Sequence, residues 1–549
     1  MKKALNFGAA WVALLLGLCC WGELNGAFLA APSAQVRPDR PILQPAWLWR
    51  PPRILLVGVG DSLTQGTRDA TNNQFNTENA YLQKIAEKLA LVLKLKFNQP
   101  LLDESQNRIN PLTIPTNLGV DGEDIFSLDG LEYGKRVGSA SDYPSDEYYC
   151  DRLQPYLFAD MHDKVLYPIN ILAGKKVSQL DALIWHLNNH SGPAWVVFWV
   201  GNNDAALSTL GLGGKNPQFL PIPFDQIKDK LKPLVSYLLD FGRSKGAIAF
   251  DPYTSTNIMR NLTEVNDFQS QFNQIISKIG LGRTNVQFFF LTYPHYPEIG
   301  YLMDCEDLNF YLGKLGYNIP CNNGSFEGRV SLLTFFSMYA LLKSGESGGF
   351  PAILNDDGLV MSDGERAIIK GRIDDFNSYV RSLNGQPNVR IVPAGDRLND
   401  AFSNGLVIDG KTLTRSWGRG SSFSLDGVHA GHTVHVYIAN MILKEMKKLN
   451  SGISPYNSFE LKQILAGDPY VDQDADGWVA GPDYKATGRT KILFLFKDFQ
   501  EGDGSSGAVI DNMSPSDVWD LISDALLEEI IGIPIVRTEA ERIGLIPVD

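Results

Sequence analysis

Ser62 stands in Gly60-Asp61-Ser62-Leu63, directly after the apolar run Ile54-Leu55-Leu56-Val57-Gly58-Val59. A buried strand that turns sharply into a helix at this point would raise the serine hydroxyl at the carboxyl edge of a sheet. The backbone N–H groups that follow could then face a developing oxyanion. Acyl transfer through such a hydroxyl also needs a base, a group that orients the base, and further oxyanion donors. Of the seven histidines, His429 alone has an aspartate, Asp426, three residues before it. Gly-x-Asn-Asp occurs once, as Gly201-Asn202-Asn203-Asp204, and Asn117-Leu118-Gly119-Val120-Asp121-Gly122 lies between the two. Each block has a plainer reading by itself: serine caps helices, and Asn-Asp shapes turns. Their co-occurrence in this order carries the argument.

Taken together these blocks resemble the SGNH or GDSL family of serine hydrolases, whose segments bring Ser, Gly, Asn and Asp-x-x-His in that order. The resemblance covers roughly residues 53–449. It implies that Ser62 is the nucleophile, His429 the general base and Asp426 its orienting carboxylate. The implied oxyanion donors are the backbone N–H groups of Ser62 and Gly122 and the side-chain amide of Asn203. It further implies hydrolysis of carboxylic esters of lipid or small acyl substrates, with no cofactor for catalysis. Carbohydrate deacetylation at the same site is the runner-up.

Those side chains need elements to hold them. Strands are expected from residue 53, over 195–200, 248–251, 286–292 and 389–392. Helical spacing marks 80–94, 178–189, 224–242, 264–279, 364–383 and 430–449. Strands alternating with helices predict an α/β fold, a three-layer α/β/α arrangement around a mostly parallel sheet with flavodoxin-like topology. Ligands of such sheets sit beyond the carboxyl ends of the strands, so Ser62 and Asn203, each following an apolar strand, can meet there. An insertion around 295–350 holds Cys305, Cys321 and the apolar stretch 332–342. Periodicity favours a core helix for that stretch, and a lid or acyl-chain pocket is the second reading. His432 and His435 continue into an apolar helix as packing or capping residues. His186 and His190 stand four apart without a third ligand, so zinc is disfavoured, and His295 has no assigned role.

Lys2-Lys3 followed by the apolar residues 4–21 reads as a secretory signal within 1–30, which predicts a secreted or periplasmic protein with no stable membrane span once it is removed. An uncleaved anchor is the alternative. A proline-rich linker over 31–52 follows. Cleavage leaves Cys150, Cys305 and Cys321. In an oxidising compartment the near pair Cys305 and Cys321 can close a short loop, with the other pairings open. A net charge of -13 leaves no basic surface for a phosphate backbone, which argues against nucleic acid, and disfavours steady attachment to an anionic membrane. The partner expected is a small-molecule or lipid ester; oligomeric state stays open.

The character changes at about 450, which delimits a C-terminal module, 450–549. Within it the loop 472–483 places Asp472, Asp474, Asp476 and Asp483 at positions 1, 3, 5 and 12, with Gly477 at 6. Hard oxygen ligands around a tight turn suit calcium. The loop resembles a single EF-hand or dockerin calcium loop, departing from them with Asp483 in place of glutamate and Ala480 at position 9. Structural calcium is the expectation, and an acidic surface turn the alternative. A calcium-dependent adhesion or assembly protein with a vestigial hydrolase fold is the competing function from another class.

Overall fold

The computed structural model describes residues 53–473, apart from 70, 104–105, 156–158, 212–252, 314–315, 322–325 and most of 333–349. The expected signal, the linker, the helix at 224–242, the strand at 248–251 and nearly all of the calcium loop lie outside the described residues.

Five parallel strands form the central sheet: β1 (Ile54–Gly60), β2 (Leu95–Lys96), β3 (Ala194–Trp199), β4 (Val286–Leu291) and β5 (Val389–Val392), in the order β2-β1-β3-β4-β5. This is the flavodoxin-like order the alternation predicts. β1 and β3 occupy the middle because their near-continuous apolar runs need cover on both faces, and every residue of β3 is buried. Their register sets Val57 opposite Val196 and Gly60 opposite Trp199, so both strands end together at one edge.

Helix α1 (Ser62–Gln65) leaves β1. Along the chain follow α2 (Tyr81–Ala90), α3 (Gln179–Asn188), α4 (Asn203–Leu210), α5 (Val265–Ile279), α6 (Asp363–Ser382), α7 (His432–Lys447) and α8 (Ser458–Ala466). These helices flank the sheet in two groups, α2 packed on α7, and α5 packed on both α3 and α6. The second contact includes the stacked rings of Phe268 and Phe376, 4.0 Å between centroids, a pairing that adds about 1 kcal/mol beyond the area it buries. Capping boxes at Ser178 with Asp181 and at Ser362 with Glu365 start α3 and α6 at the expected places.

Two ends differ from expectation. Helical spacing continues through Leu93, yet α2 stops at Ala90, because Leu95 must pair with Ile54 in the sheet. α7 begins two residues late, since Gly431 is its extended N-cap and the Ala430 carbonyl is taken by a buried arginine, Arg68.

In the insertion, Leu302–Met303, Arg329–Ser331 and Val360–Met361 make a small antiparallel sheet, and Cys305 and Cys321 are disulfide-bonded. The described part of the 332–342 stretch is helical, and its Leu332, Phe335 and Met338 are buried, with Phe335 against Tyr311 and Trp417. These residues are core, as the periodicity favours.

Residues 450–473, on the far side of the compositional change, pack onto the same body. Ile453 is buried, Lys88 pairs with Glu460 at 2.5 Å, and Leu465 and Val471 form a small cluster with Ile408 and Leu413. Among the described residues no helix is long and apolar enough to cross a membrane.

Candidate active site

The turn after β1 is built for close approach. A Cβ on Gly60 would lie 2.6 Å from the Trp199 carbonyl, so only glycine fits. Both polar groups of Gly60 are held by one side chain: Gln179 Oε1 accepts from its N–H at 2.7 Å, and Gln179 Nε2 donates to its carbonyl at 2.9 Å. Asp61 is the extended N-cap of α1 and accepts from the Leu63 N–H at 3.0 Å. Because Asp61 does the capping, the Ser62 hydroxyl is not consumed by that role. The second oxygen of Asp61 accepts from Asn202 Nδ2 at 2.6 Å. Burial pushes the Asp61 carboxyl up to about 7, against the pull of the Asn202 and Leu63 bonds and of His429.

The Gly122 segment runs along the end of β1, its Leu118 and Val120 N–H groups donating to Gly58 and Gly60 carbonyls. Gly119 lies so close to α1 that a Cβ would meet the Gln65 nitrogen at 2.7 Å, and Gln65 Oε1 accepts from the Asp121 N–H at 2.7 Å. Gly122 has φ +82°, the left-handed region that favours glycine. Asn203 Nδ2 donates to the carbonyl of Glu123, the next residue, at 2.8 Å. One amide hydrogen is thereby fixed and the other remains for a second acceptor. The N–H groups of Ser62 and Gly122 form no hydrogen bond among the described residues. The structure thus gathers the three sequence-predicted donors around the turn that bears Ser62.

Asp204 has a different role. Its oxygens accept from the Ile125 N–H at 2.9 Å and the Thr263 hydroxyl at 2.7 Å, strapping the glycine segment to α4. Burial and the charge of Asp124 push its carboxyl up to about 8. Beside it, Glu123 is paired with His162 at 2.8 Å, both buried.

His429 Nδ1 bonds Asp426 Oδ2 at 2.7 Å. With Nδ1 as donor the neutral ring presents Nε2 as the proton acceptor. Asp426 Oδ1 is saturated by the Ser424 hydroxyl at 2.9 Å and the N–H groups of Val428 and His429 at 2.8 and 2.9 Å. Burial opposes the imidazolium, yet the Asp426 charge outweighs it, and His429 titrates above its ordinary value, with Asp121 and Asp61 adding to the effect. Those two carboxylates flank Gly122 and Ser62, which places the imidazole in the field of both.

The loop bearing Asp426 and His429 is stitched to the chain that leaves α1. Asp69 accepts from the Leu425 N–H at 2.7 Å, its own N–H donates to Ser424 Oγ at 3.1 Å, and Arg68 Nε donates to the Ala430 carbonyl at 3.1 Å. Among the described residues the Ser62 hydroxyl and His429 Nε2 carry no hydrogen bond, either to each other or to a neighbour, a looseness common before substrate binds.

The other histidines stand apart. His435 accepts from the Tyr81 N–H, His432 packs against Phe75 and Tyr470, and His186 and His190 donate to the Pro115 and Pro193 carbonyls. His295 bonds Asp374. Of the four calcium-loop carboxylates only Asp472 is described; Asp474, Asp476 and Asp483 lie outside. Among the described residues no group of three His, Cys, Asp or Glu side chains is placed to hold a metal ion. Sequence reasoning missed Gln179, Gln65, Asn202 and Asp69, none of which carries a spacing signal. An open cleft of about 520 Å³ lined by Asn79, Lys84, Glu87, Phe97, Gln99 and Asn110 contains none of the candidate catalytic groups.

A parallel sheet in the order above, with a serine just past the carboxyl end of the interior strand β1, fits an α/β fold of the SGNH hydrolase kind. The family model described as GDSL-like Lipase/Acylhydrolase matches residues 56–319. This match supports the SGNH/GDSL family and an ester hydrolase in general; it includes Ser62, Gly122 and Asn203 and ends before Asp426. No curated protein and no solved structure matches the chain.

Proposed function

We propose that the protein is a serine hydrolase of carboxylic esters working through an acyl-enzyme on Ser62. Ser62 Oγ attacks the ester carbonyl as its proton passes to His429 Nε2, and Asp426 stabilises the imidazolium. The oxyanion accepts hydrogen bonds from the N–H groups of Ser62 and Gly122 and from Asn203. Collapse expels the alcohol, which takes the proton from His429. Water then repeats the sequence and releases the acid. The observation that carries this reading is the His429–Asp426 bond on a loop tied to the chain leaving Ser62.

The described residues of 332–342 are core, so they give no reason to favour long acyl chains. Small acyl esters are the primary substrate class, and acetyl groups on polysaccharides follow as the second reading. A panel of p-nitrophenyl esters from acetate to palmitate, beside acetylated xylan, sorts these. Ser62→Ala is expected to lower every rate by a factor on the order of 10⁶. Equal rates for Ser62→Ala and wild type would instead favour the vestigial-fold reading.

The Cys305–Cys321 disulfide supports export to an oxidising compartment, in keeping with the amino-terminal signal. Structural calcium at 472–483 rests on sequence spacing. Saturating calcium is expected to raise Tm in wild type and not in an Asp474→Ala, Asp476→Ala variant; equal responses would remove the ion from the proposal.

A further inference from the structure

Residues 468–470 follow α8, outside the family match, yet they reach the loop that carries the base. Tyr470 OH donates to Asp69 Oδ2 at 2.9 Å. The other oxygen of Asp69 accepts from the Leu425 N–H, and the Asp69 N–H donates to Ser424 Oγ, which itself donates to Asp426 Oδ1. On the far side of His429, Asp468 Oδ2 accepts from the Thr433 N–H at 2.7 Å, at the start of α7, where the N-cap Gly431 has no side chain to do so. Asp468 Oδ1 accepts from the Tyr470 N–H at 2.9 Å, which fixes the two residues to each other. The Tyr470 ring meets His432 edge-on at 5.5 Å between centroids.

The arrangement is costly. Asp69, Asp468 and Asp426 are all buried, and burying carboxylates near one another is favourable only when directional bonds satisfy them. Here bonds from Asp69 and Asp468 end on the stretch 425–433, which brackets His429. A fold that needed only to pack 468–470 would have used apolar side chains.

We propose that Asp69, Asp468 and Tyr470 are positioning residues for the Asp426–His429 base, a brace supplied by the chain after α8 that sets the orientation of the imidazole toward Ser62. The brace holds the loop from both sides, at Leu425 and at Thr433, so rotation of the Asp426–His429 unit away from the serine requires breaking buried, directional hydrogen bonds. This inference rests on the ester-hydrolase reading of Ser62 and His429.

The test uses the full chain with Tyr470→Phe and, as a second variant, Asp468→Asn. Three quantities are read on the same samples: kcat and KM for p-nitrophenyl butyrate per site titrated with a fluorophosphonate, Tm, and the low-field proton resonance of His429 Nδ1–H. Misplacement of a catalytic group costs up to about a hundredfold, so kcat is expected to fall roughly ten- to hundredfold with KM within about twofold, and the resonance to shift or broaden. A lower Tm with kcat per titrated site and the resonance both unchanged in the two variants overturns the brace. Wild type inert to both the ester and the fluorophosphonate overturns the ester-hydrolase reading instead. The imidazole resonance then still decides the brace, which falls if the resonance is unmoved by Tyr470→Phe.

Discussion

The two sides of the candidate site are held by different physics. On the oxyanion side, Gly60 and Gly119 touch neighbouring backbone with no room for a Cβ, and three neutral amides, Gln179 on Gly60, Gln65 on Asp121 and Asn203 on Glu123, act beside the buried carboxyls of Asp61 and Asp204, which burial pushes up to about 7 and about 8, toward their neutral form. On the base side, the loop from Ser424 to Ala430 is held through ionisable groups, Asp69, Arg68 and Asp426 itself. The division suits the chemistry. Oxyanion donors act by being fixed dipoles that need not reorganise, whereas the base needs a nearby negative charge that can answer a positive one.

Substitutions on the two sides are expected to separate in their pH behaviour. Asp426→Asn removes the charge that raises His429 and turns the ring to the wrong tautomer. The expected loss in kcat is about 10⁴-fold. The base must be unprotonated, so wild-type kcat/KM rises with pH through the pKa of His429, above its ordinary value; in Asp426→Asn that limb moves to lower pH. A limb that stays in place would mean the carboxylate does not set the titration.

Asn203→Ala is the matching cut on the other side. Loss of one oxyanion donor is expected to lower kcat by about 10²–10³. KM should change little, and the acid limb should not move, because the amide carries no charge. A displaced limb in Asn203→Ala would break the contrast between the two sides.

The smallest effect is one of stability. Asp204 titrates at about 8 in the fold and near 3.8 when unfolded, so between these values the native state binds the extra proton and stability falls as pH rises. Asn mimics the protonated acid without that penalty. Asp204→Asn, having lost one acceptor, is expected to be about 1 kcal/mol less stable than wild type at pH 5, with the order reversing by pH 8 because only wild type loses stability over that range. Thermal unfolding at the two pH values measures it, and a constant gap would deny the titration.

How much of this was legible in the sequence follows from what each part of the molecule demands. Ser62, Gly122, Asn203 and the Asp426–His429 pair could be read because chemistry fixes their residue types and local spacing. The alternation of apolar runs pointed to the parallel sheet and to the helices at 178–189 and 364–383. Gln179 was invisible: its partner lies 119 residues away, and nothing in a lone glutamine after a serine announces that it will hold a strand end. Tyr470 and Asp69 are 401 residues apart, and the compositional change at 450 pointed to a separate module, whereas 450–473 pack on the hydrolase body. The stop of α2 at Ala90 was hidden because Leu93 keeps helical period while serving the approach to an edge strand. Tertiary partnerships of this kind leave no periodic trace.

Gln179 also bears on how portable the serine turn is. Within a sheet, the end of a strand usually finds its donor and acceptor on an adjacent strand; here a helix side chain supplies both to Gly60 through a single amide, so the backbone can leave the sheet at that residue without stranding a polar group. Grafting Gly60-Asp61-Ser62 onto another parallel sheet would therefore require carrying a glutamine on the neighbouring helix along with the tripeptide. A graft that omitted it would leave the Gly60 N–H without an acceptor beside the new nucleophile, since the Gly60 carbonyl keeps the Val120 N–H.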